Sequence, residues 1–208
     1  MMQISRRAFV SGAGLAIGGP LVGRSGAFAV EQRANLIEVT ARPGETVGTL
    51  RFGRFATACA LGRSGILSPK QEGDGGTPAG RFPLREVRYR PDRLTAPESL
   101  LPILASKEAD GWCDEPSDPS YNRLVSLPYA SDAEQMWRDD HLYDVLAVIG
   151  YNDDPVVPKA GSAIFMHIAL EEAGKLMPTA GCVSLRRQDL LTVLAACFTG
   201  TMIDIRLV

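Results

Sequence analysis

The sequence has no excess of basic charge. Its 208 residues include 22 lysines and arginines against 24 aspartates and glutamates, a formal net charge of −2. A nucleic-acid-binding protein needs a basic surface to neutralise phosphates, so nucleic acid is not an expected partner. Histidine and cysteine are scarce, with two and four residues, and none lies at C-x-x-C or H-E-x-x-H spacing. GxGxxG and Walker loops are also absent, so neither a metal nor a nucleotide cofactor is expected.

Long hydrophobic runs are lacking too. The uncharged stretch over residues 8–23 has sixteen residues and is interrupted by glycines, whereas a membrane-spanning helix needs roughly 20 apolar residues. It follows Arg6-Arg7 and precedes Ala27-Phe28-Ala29, a small-x-small cleavage signal. Such paired arginines resemble the bacterial twin-arginine export signal, with the general secretory route as the alternative. We expect residues 1–29 to be an export signal cleaved near Ala29, leaving a periplasmic protein without a membrane span.

The rest of the chain, residues 30–208, has the length of one domain. Alternation and short apolar runs predict strands over residues 36–39, 50–55, 81–90, 143–151, 163–169 and 201–208. Apolar residues at helical spacing predict one helix over residues 188–198, and residues 62–80 have the composition of a loop. Residues 91–142 show no clear pattern, so this segment is either functional or holds short helices. The pattern predicts a mainly β, β-rich α+β domain.

One histidine and one cysteine lie near each other in the C-terminal part of the sequence. His167 falls in a predicted buried strand, and Cys182 follows Gly181 and precedes the predicted helix. A cysteine nucleophile needs a lowered pKa, which a neighbouring imidazolium or a helix N-terminus can supply. It also needs N–H donors for the oxyanion, which backbone beside a glycine can offer. This arrangement indicates a thiol nucleophile; an inert buried cysteine beside a core histidine is the alternative.

Two ordered motifs resemble the L,D-transpeptidase catalytic domain family, also called YkuD-like. The first is His167 followed, after a gap, by TAGCVSL over residues 179–185, where the family has a histidine and then S/T-x-G-C. The second is GDGGTPAGRF over residues 73–82, which is similar to the family's G-D-x-x-T-P-x-G-x-[FY] segment. The resemblance covers residues 35–207. It implies an L,D-transpeptidase-like β-sandwich in which a helix follows the catalytic cysteine.

The resemblance also implies an activity, a periplasmic cysteine acyltransferase acting on peptidoglycan stem peptides. In the family, the cysteine attacks the carbonyl of the third stem residue, usually diaminopimelate, and releases D-alanine before an amine takes the acyl group. In this sequence Cys182 is then the nucleophile, His167 is its general base, and Gly181 helps to form the oxyanion hole. Thr179 and Ser184 are implied substrate-binding residues. Three residues of the upstream motif would shape the groove: Thr77, Pro78 and Gly80.

The sequence departs from the usual family pattern at three positions. Ile168 stands where many members have a glycine, Ala180 where many have a second histidine, and Ser184 where many have an arginine. Two more residues are candidate substrate-binding groups. Arg123 could hold a stem carboxylate, and Tyr151 could border the cleft, with packing of a long loop as the alternative. Three segments are similar to a less-studied bacterial subgroup: WCD over 112–114, YNR over 121–123 and YNDDP over 151–155.

Two other functions remain open from the sequence. The same scaffold could pass the acyl group to water, as an L,D-carboxypeptidase or as an amidase that releases wall-attached protein. A non-catalytic wall-binding protein is the second alternative, since motifs alone do not prove turnover. One disulfide among Cys59, Cys113 and Cys197 is possible in the periplasm, but the sequence does not choose a pair. The oligomeric state is not indicated.

Overall fold

A computed structural model describes residues 35–208, and the predicted export signal lies outside the described residues. The described part is mainly β with one helix, as predicted, and contains no helix with the length and apolar character to cross a membrane. The strands are β1 Leu36–Ala41, β2 Val47–Phe52, β3 Phe55–Ala60, β4 Ile66–Leu67, β5 Thr77–Pro78, β6 Gly80–Tyr89, β7 Ile103–Ala105, β8 Asp110–Cys113, β9 Leu124–Ser126, β10 Ala133–Gln135, β11 Val145–Ile149, β12 Phe165–Ile168, β13 Glu171–Glu172, β14 Lys175–Leu176, β15 Val183–Leu185 and β16 Met202–Leu207. The helix is α1, Arg187–Ala196.

The main sheet closes on itself. Its strand order is β11-β12-β15-β3-β2-β1-β16-β6-β7, and β11 also pairs with β6. Within this ring, β1 with β16 and β12 with β15 are parallel pairs, and the other neighbours are antiparallel. Closure leaves no unpaired edge among these eight strands, because every strand has a neighbour on both sides.

One apolar core lies inside the ring. Alternate residues of β1 and β16, such as Val39 and Ile205, point into it, as the period-two pattern of these strands requires. Helix α1 adds Leu190, Val193 and Leu194 to the same core. The strand β11 is buried on both faces, which explains its continuous apolar run.

A second, smaller sheet is formed by the segment that the sequence left without a pattern. The three strands β10-β8-β9, here called the cap sheet, pair antiparallel. Trp112 lies in β8, and Met136 directly follows β10. Both pack in a second apolar cluster with Tyr143 and Phe165. The cap sheet therefore covers the face of β11 and β12 that points away from the main core.

The predicted elements agree with the structure over most of the main sheet. The strands at residues 36–39, 81–90, 143–151, 163–169 and 201–208 and the helix are confirmed, with small changes at their ends. The predicted strand over residues 50–55 is wrong, because Gly53 and Arg54 form the turn between β2 and β3. Gly53 has a φ of +60°, which permits this tight turn. The short helices considered for residues 91–142 are also wrong, since that segment contains β7 to β10.

The closed core predicts a difference between two leucines. Leu50 is fully buried, whereas Leu100 is 59% exposed. We expect Leu50→Ala to lower the free energy of unfolding by about 3 kcal/mol, because it leaves a cavity. We expect Leu100→Ala to change it by less than about 0.5 kcal/mol. Denaturant unfolding measures both, and similar losses in the two variants would contradict this assignment of the core.

Candidate active site

The pairing of β12 with β15 brings the predicted nucleophile and base together. Along β12, Met166 and Ile168 point into the main core, so Phe165 and His167 point to the opposite face. The parallel register pairs His167 with Ser184, which places Cys182 beside Phe165. The N–H of Phe165 accordingly donates to Cys182 Sγ at 3.3 Å. Cys182 and His167 thus face the same side of the sheet and line one cleft.

This cleft has a volume of about 330 Å³ and carries charges of both signs. Its ionisable lining residues other than Cys182, His167 and Tyr143 are Arg63, Lys70, Glu72, Asp114, Glu134 and Arg138. The last three come from the cap sheet and the residues next to it, so the cap sheet forms one wall of the cleft. Leu142, Leu170 and Met177 supply apolar surface. A peptide that carries both ammonium and carboxylate groups would find complementary charges here.

The thiol of Cys182 is held by two backbone groups. Its Sγ accepts a hydrogen bond from Phe165 N–H and donates one to the Ala163 carbonyl, each at 3.3 Å. Burial raises the pKa of Cys182 to about 12, against the smaller lowering effect of the Phe165 N–H. The expected lowering of this pKa by a helix N-terminus is wrong, because β15 separates Cys182 from α1, which begins at Arg187. The resting nucleophile is a neutral thiol.

His167 is also buried and neutral. Its Nδ1 lies 2.8 Å from the carbonyl of Ile168, which only accepts hydrogen bonds, so Nδ1 carries the proton and Nε2 is the free base. Burial lowers the pKa of His167 to about 4, although the Ile168 carbonyl opposes this effect. The ring meets the edge of Tyr143 at a centroid distance of 5.2 Å. A neutral thiol and a neutral imidazole can act by general base catalysis, with the proton moving as the thiol attacks.

The turn that carries Cys182 is fixed by Thr179 and Gly181. Thr179 Oγ1 donates to the carbonyl of Cys182 at 2.7 Å and accepts from Gly181 N–H at 3.1 Å. Gly181 has a φ of +151°, and a Cβ there would lie 2.9 Å from the carbonyl oxygen of Gly76. Only glycine fits this position. Because the N–H of Gly181 donates to Thr179 Oγ1, the N–H of Cys182 is the candidate donor to an oxyanion at this turn.

The two sequence motifs therefore meet in space, since Gly76 belongs to the upstream motif and Gly181 to the cysteine motif. Thr77 is fully buried, and its Oγ1 accepts from the N–H of Gly62 at 2.8 Å. The short β5 strand of Thr77–Pro78 pairs with β4. None of Thr77, Pro78 and Gly80 lines the cleft. They support the backbone next to Gly181, which is how the upstream motif shapes the groove.

Only one of the four residues expected to bind substrate lines the cleft, namely Thr179. Ser184 is fully buried in β15, and its Oγ has no hydrogen-bond partner among residues 35–208. Arg123 and Tyr151 line a separate cavity of about 250 Å³. Arg123 donates there to the carbonyl of Asp153 at 2.6 Å. Both residues therefore lie in this second cavity, which the cap sheet borders, and not in the cleft of Cys182. Sequence spacing could not show this.

The structure adds two residues that the sequence did not indicate, Tyr143 and Glu134. The Tyr143 hydroxyl donates to Glu134 Oε1 at 2.6 Å, and its ring packs against both Phe165 and His167. Burial raises the pKa of both side chains. Asp114 also faces the cleft, and its Oδ1 is buried without a hydrogen-bond partner in the described part of the chain. No motif signals Tyr143 or Glu134, whereas Asp114 belongs to the WCD segment over residues 112–114.

Residues 35–208 form neither a metal site nor a disulfide. Across residues 35–208, no group of three or more histidine, cysteine, aspartate or glutamate side chains is placed to hold a metal ion. All four cysteines are buried and have free thiols. Cys197 lies just after α1, and its thiol donates to the carbonyl of Val193 at 3.2 Å. The disulfide left open by the sequence is therefore not formed in this structure.

The buried imidazole predicts an unusual titration. We expect the His167 ring to stay neutral down to about pH 4, well below the usual histidine pKa of 6.5. The unfolded chain takes up this proton first, so the free energy of unfolding should fall as the pH falls from about 6.5 towards 4. NMR of the ring protons measures the titration, and His141→Gln identifies the signal, since the chain has two histidines. A midpoint near 6.5 would contradict the burial of His167.

The Thr179 hydroxyl predicts a second measurable effect. Thr179→Val keeps the shape of the side chain but removes both hydrogen bonds of the turn. We expect it to lower the free energy of unfolding by about 2 kcal/mol, at roughly 1 kcal/mol for each bond. Thr179→Ser retains the hydroxyl, so its free energy of unfolding should fall by less than half as much. Denaturant unfolding measures both variants. Equal losses of stability would show that the methyl group matters rather than the hydroxyl.

Comparison with known proteins identifies the family of this chain. The L,D-transpeptidase catalytic domain family, YkuD, matches residues 30–205. Among solved structures, Mycobacterium tuberculosis L,D-transpeptidase 1 is similar over 83% of this chain and 62% of its own, at 12% identity and a TM-score of 0.34. This chain thus spans less than two thirds of that protein. No curated protein matches. Since the family match includes His167, Cys182 and nearly all described residues, this chain belongs to the L,D-transpeptidase catalytic domain family.

Proposed function

We propose that this chain is a cysteine acyltransferase acting on peptidoglycan stem peptides. Cys182 attacks the carbonyl of the third stem residue, diaminopimelate, releases D-alanine, and passes the acyl group to an amine. The observation that carries this proposal is the shared cleft of Cys182 and His167, with the Thr179–Gly181 turn beside them. Membership of the family supports the same chemistry.

The reaction follows from the two neutral groups. As Sγ of Cys182 bonds to the carbonyl carbon, its proton moves to Nε2 of His167, and the oxyanion is held by the N–H of Cys182. The imidazolium then gives the proton to the leaving amine of D-alanine, and a thioester remains. An incoming amine attacks the thioester and loses its proton to His167. Return of that proton to Sγ restores the thiol, so no external redox partner is needed.

The charged side chains that line the cleft support a peptide substrate with charges of both signs. Lys70 is paired with Asp74 at 2.7 Å, whereas the guanidinium of Arg63 has only a long contact, 3.5 Å, to the carbonyl of Gly73. Arg63 is therefore the cation most available for the terminal carboxylate of the donor stem. The carboxylates on the cap-sheet side, Glu134 and Asp114, suit the side-chain ammonium of diaminopimelate.

The place of action is part of the proposal. The substrate lies outside the cytoplasmic membrane, so the enzyme has to be exported. The twin-arginine-type sequence within residues 1–29 supports export and cleavage near Ala29, which leaves the catalytic domain in the periplasm.

The first experiment is intact-mass analysis after incubation with disaccharide-tetrapeptide. We expect a covalent adduct on the wild-type protein and none on Cys182→Ala, with D-alanine released. His167→Gln should slow adduct formation by roughly 10² to 10⁴, the usual contribution of a general base. Products joined between two third-position residues, or carrying a new D-amino acid, would establish acyl transfer to an amine.

Other outcomes would change the assignment. Release of D-alanine with only tripeptide formed would make the enzyme an L,D-carboxypeptidase. An acyl adduct of a different mass would move the attack to another carbonyl of the stem. Folded protein that forms neither adduct nor product would overturn this donor, and the amidase and the wall-binding protein would then be tested in its place.

A further inference from the structure

The thiol of Cys182 is positioned by a backbone segment in an uncommon conformation. Residues 163–165 supply both polar contacts of Sγ, the carbonyl of Ala163 and the N–H of Phe165. Ala163 has a φ of +52°, in the left-handed region that residues with a Cβ rarely adopt. This conformation costs of order 1 kcal/mol, so other contacts must hold it.

The contact that holds Ala163 is a buried side chain outside the cleft. Asn122 Oδ1 accepts hydrogen bonds from Ala163 N–H at 3.0 Å and from the indole N–H of Trp112 at 2.9 Å. Its Nδ2 donates to the carbonyls of Tyr151 and Asn152 at 3.0 and 2.8 Å. Both lone pairs and both protons of the amide are used, which fixes its orientation.

These contacts bring together the three sequence segments that the catalytic mechanism leaves unexplained. Trp112 lies in the cap sheet, Asn122 in the turn that precedes β9, and Tyr151 in the loop after β11. Asn122 is only 3% exposed and lines the second cavity rather than the cleft. It therefore reaches the nucleophile through a single backbone residue and has no surface for the substrate.

We propose that Asn122 is a positioning residue for the Cys182 thiol, because it holds Ala163 in its left-handed conformation and so fixes the carbonyl to which the thiol donates. The inference rests on the proposed function in one respect, that Cys182 is the nucleophile. An S–H to carbonyl hydrogen bond stabilises the neutral thiol. Loss of Asn122 therefore has two effects: the thiol ionises more easily, and its sulfur is less well placed for attack.

A matched pair of asparagines tests this role. Asn122 and Asn152 both have a positive φ, +57° and +49°. The side chain of Asn152 holds Val157 and Gly161 without touching residues 163–165. Glycine suits the backbone at both positions, so Asn122→Gly and Asn152→Gly each remove the side-chain bonds without adding strain. The readout is the rate of alkylation by iodoacetamide at pH 8, with labels counted by mass.

We expect Asn122→Gly to take up one label, at Cys182, about three- to ten-fold faster than the wild type. Asn152→Gly should react at the wild-type rate even if its melting temperature falls. With the tetrapeptide donor, kcat of Asn122→Gly should fall about ten-fold while KM stays unchanged, because the residue does not contact the substrate. Cys182→Ala gives the background from the other three cysteines.

Equal alkylation rates in the two glycine variants would overturn the proposal and leave Asn122 a structural residue only. Uptake of four labels by Asn122→Gly would show that this variant is unfolded. In that case the proposal is tested with Trp112→Phe instead. That variant removes the indole N–H but keeps an aromatic ring against Phe165. It should raise single-label alkylation about two-fold, and no change would also overturn the proposal. Because alkylation needs no donor, this result is independent of whether the tetrapeptide is the substrate.

Discussion

The parallel pairing of β12 with β15 is the constraint on which the site depends. It sets His167 and Cys182 on the same face of two neighbouring strands, while the opposite face of those strands fills the main core. A register shift of one residue would turn His167 into the core and Met166 towards the cleft. The burial of Val183 and Leu185 makes such a shift costly. The same apolar contacts that stabilise the domain therefore also fix the relative positions of His167 and Cys182.

Burial decides the charge state of the pair. With the pKa of Cys182 near 12, its thiolate is roughly 4 kcal/mol harder to form than that of an ordinary cysteine, since each pKa unit is worth about 1.4 kcal/mol. This cost already includes the lowering effect of the Phe165 N–H, which is smaller than the effect of burial. A resting thiolate–imidazolium pair is thus disfavoured. In the proposed reaction, the thiol therefore gives up its proton to His167 only as its sulfur attacks a carbonyl in the cleft.

The sequence predicted most of the main sheet, and it failed where the signal was nonlocal. Continuous or alternating apolar residues identified β11 and β16. The paired motifs singled out Cys182 and His167, and the structure places both side chains in one cleft. The strands of the cap sheet have three or four residues, too few for a period to emerge. Glu134 reaches the cleft only through that sheet, whereas Tyr143 precedes β11 and packs against Phe165 and His167. Ser184 was expected at the cleft from its place after Cys182. Strand alternation does put it on the same face as Cys182, beside His167, but close packing buries it fully.

The closed ring also has a consequence for the order of assembly. Strand β16 lies between β1 and β6, so Leu36, near the start of the domain, pairs with Met202, near its end. Until the ribosome has released residues 202–207, β1 and β6 lack the strand that joins them. The ring therefore cannot close before β16 has been synthesised and has left the ribosome. Contacts this far apart in sequence also make folding slow compared with helical domains of similar size.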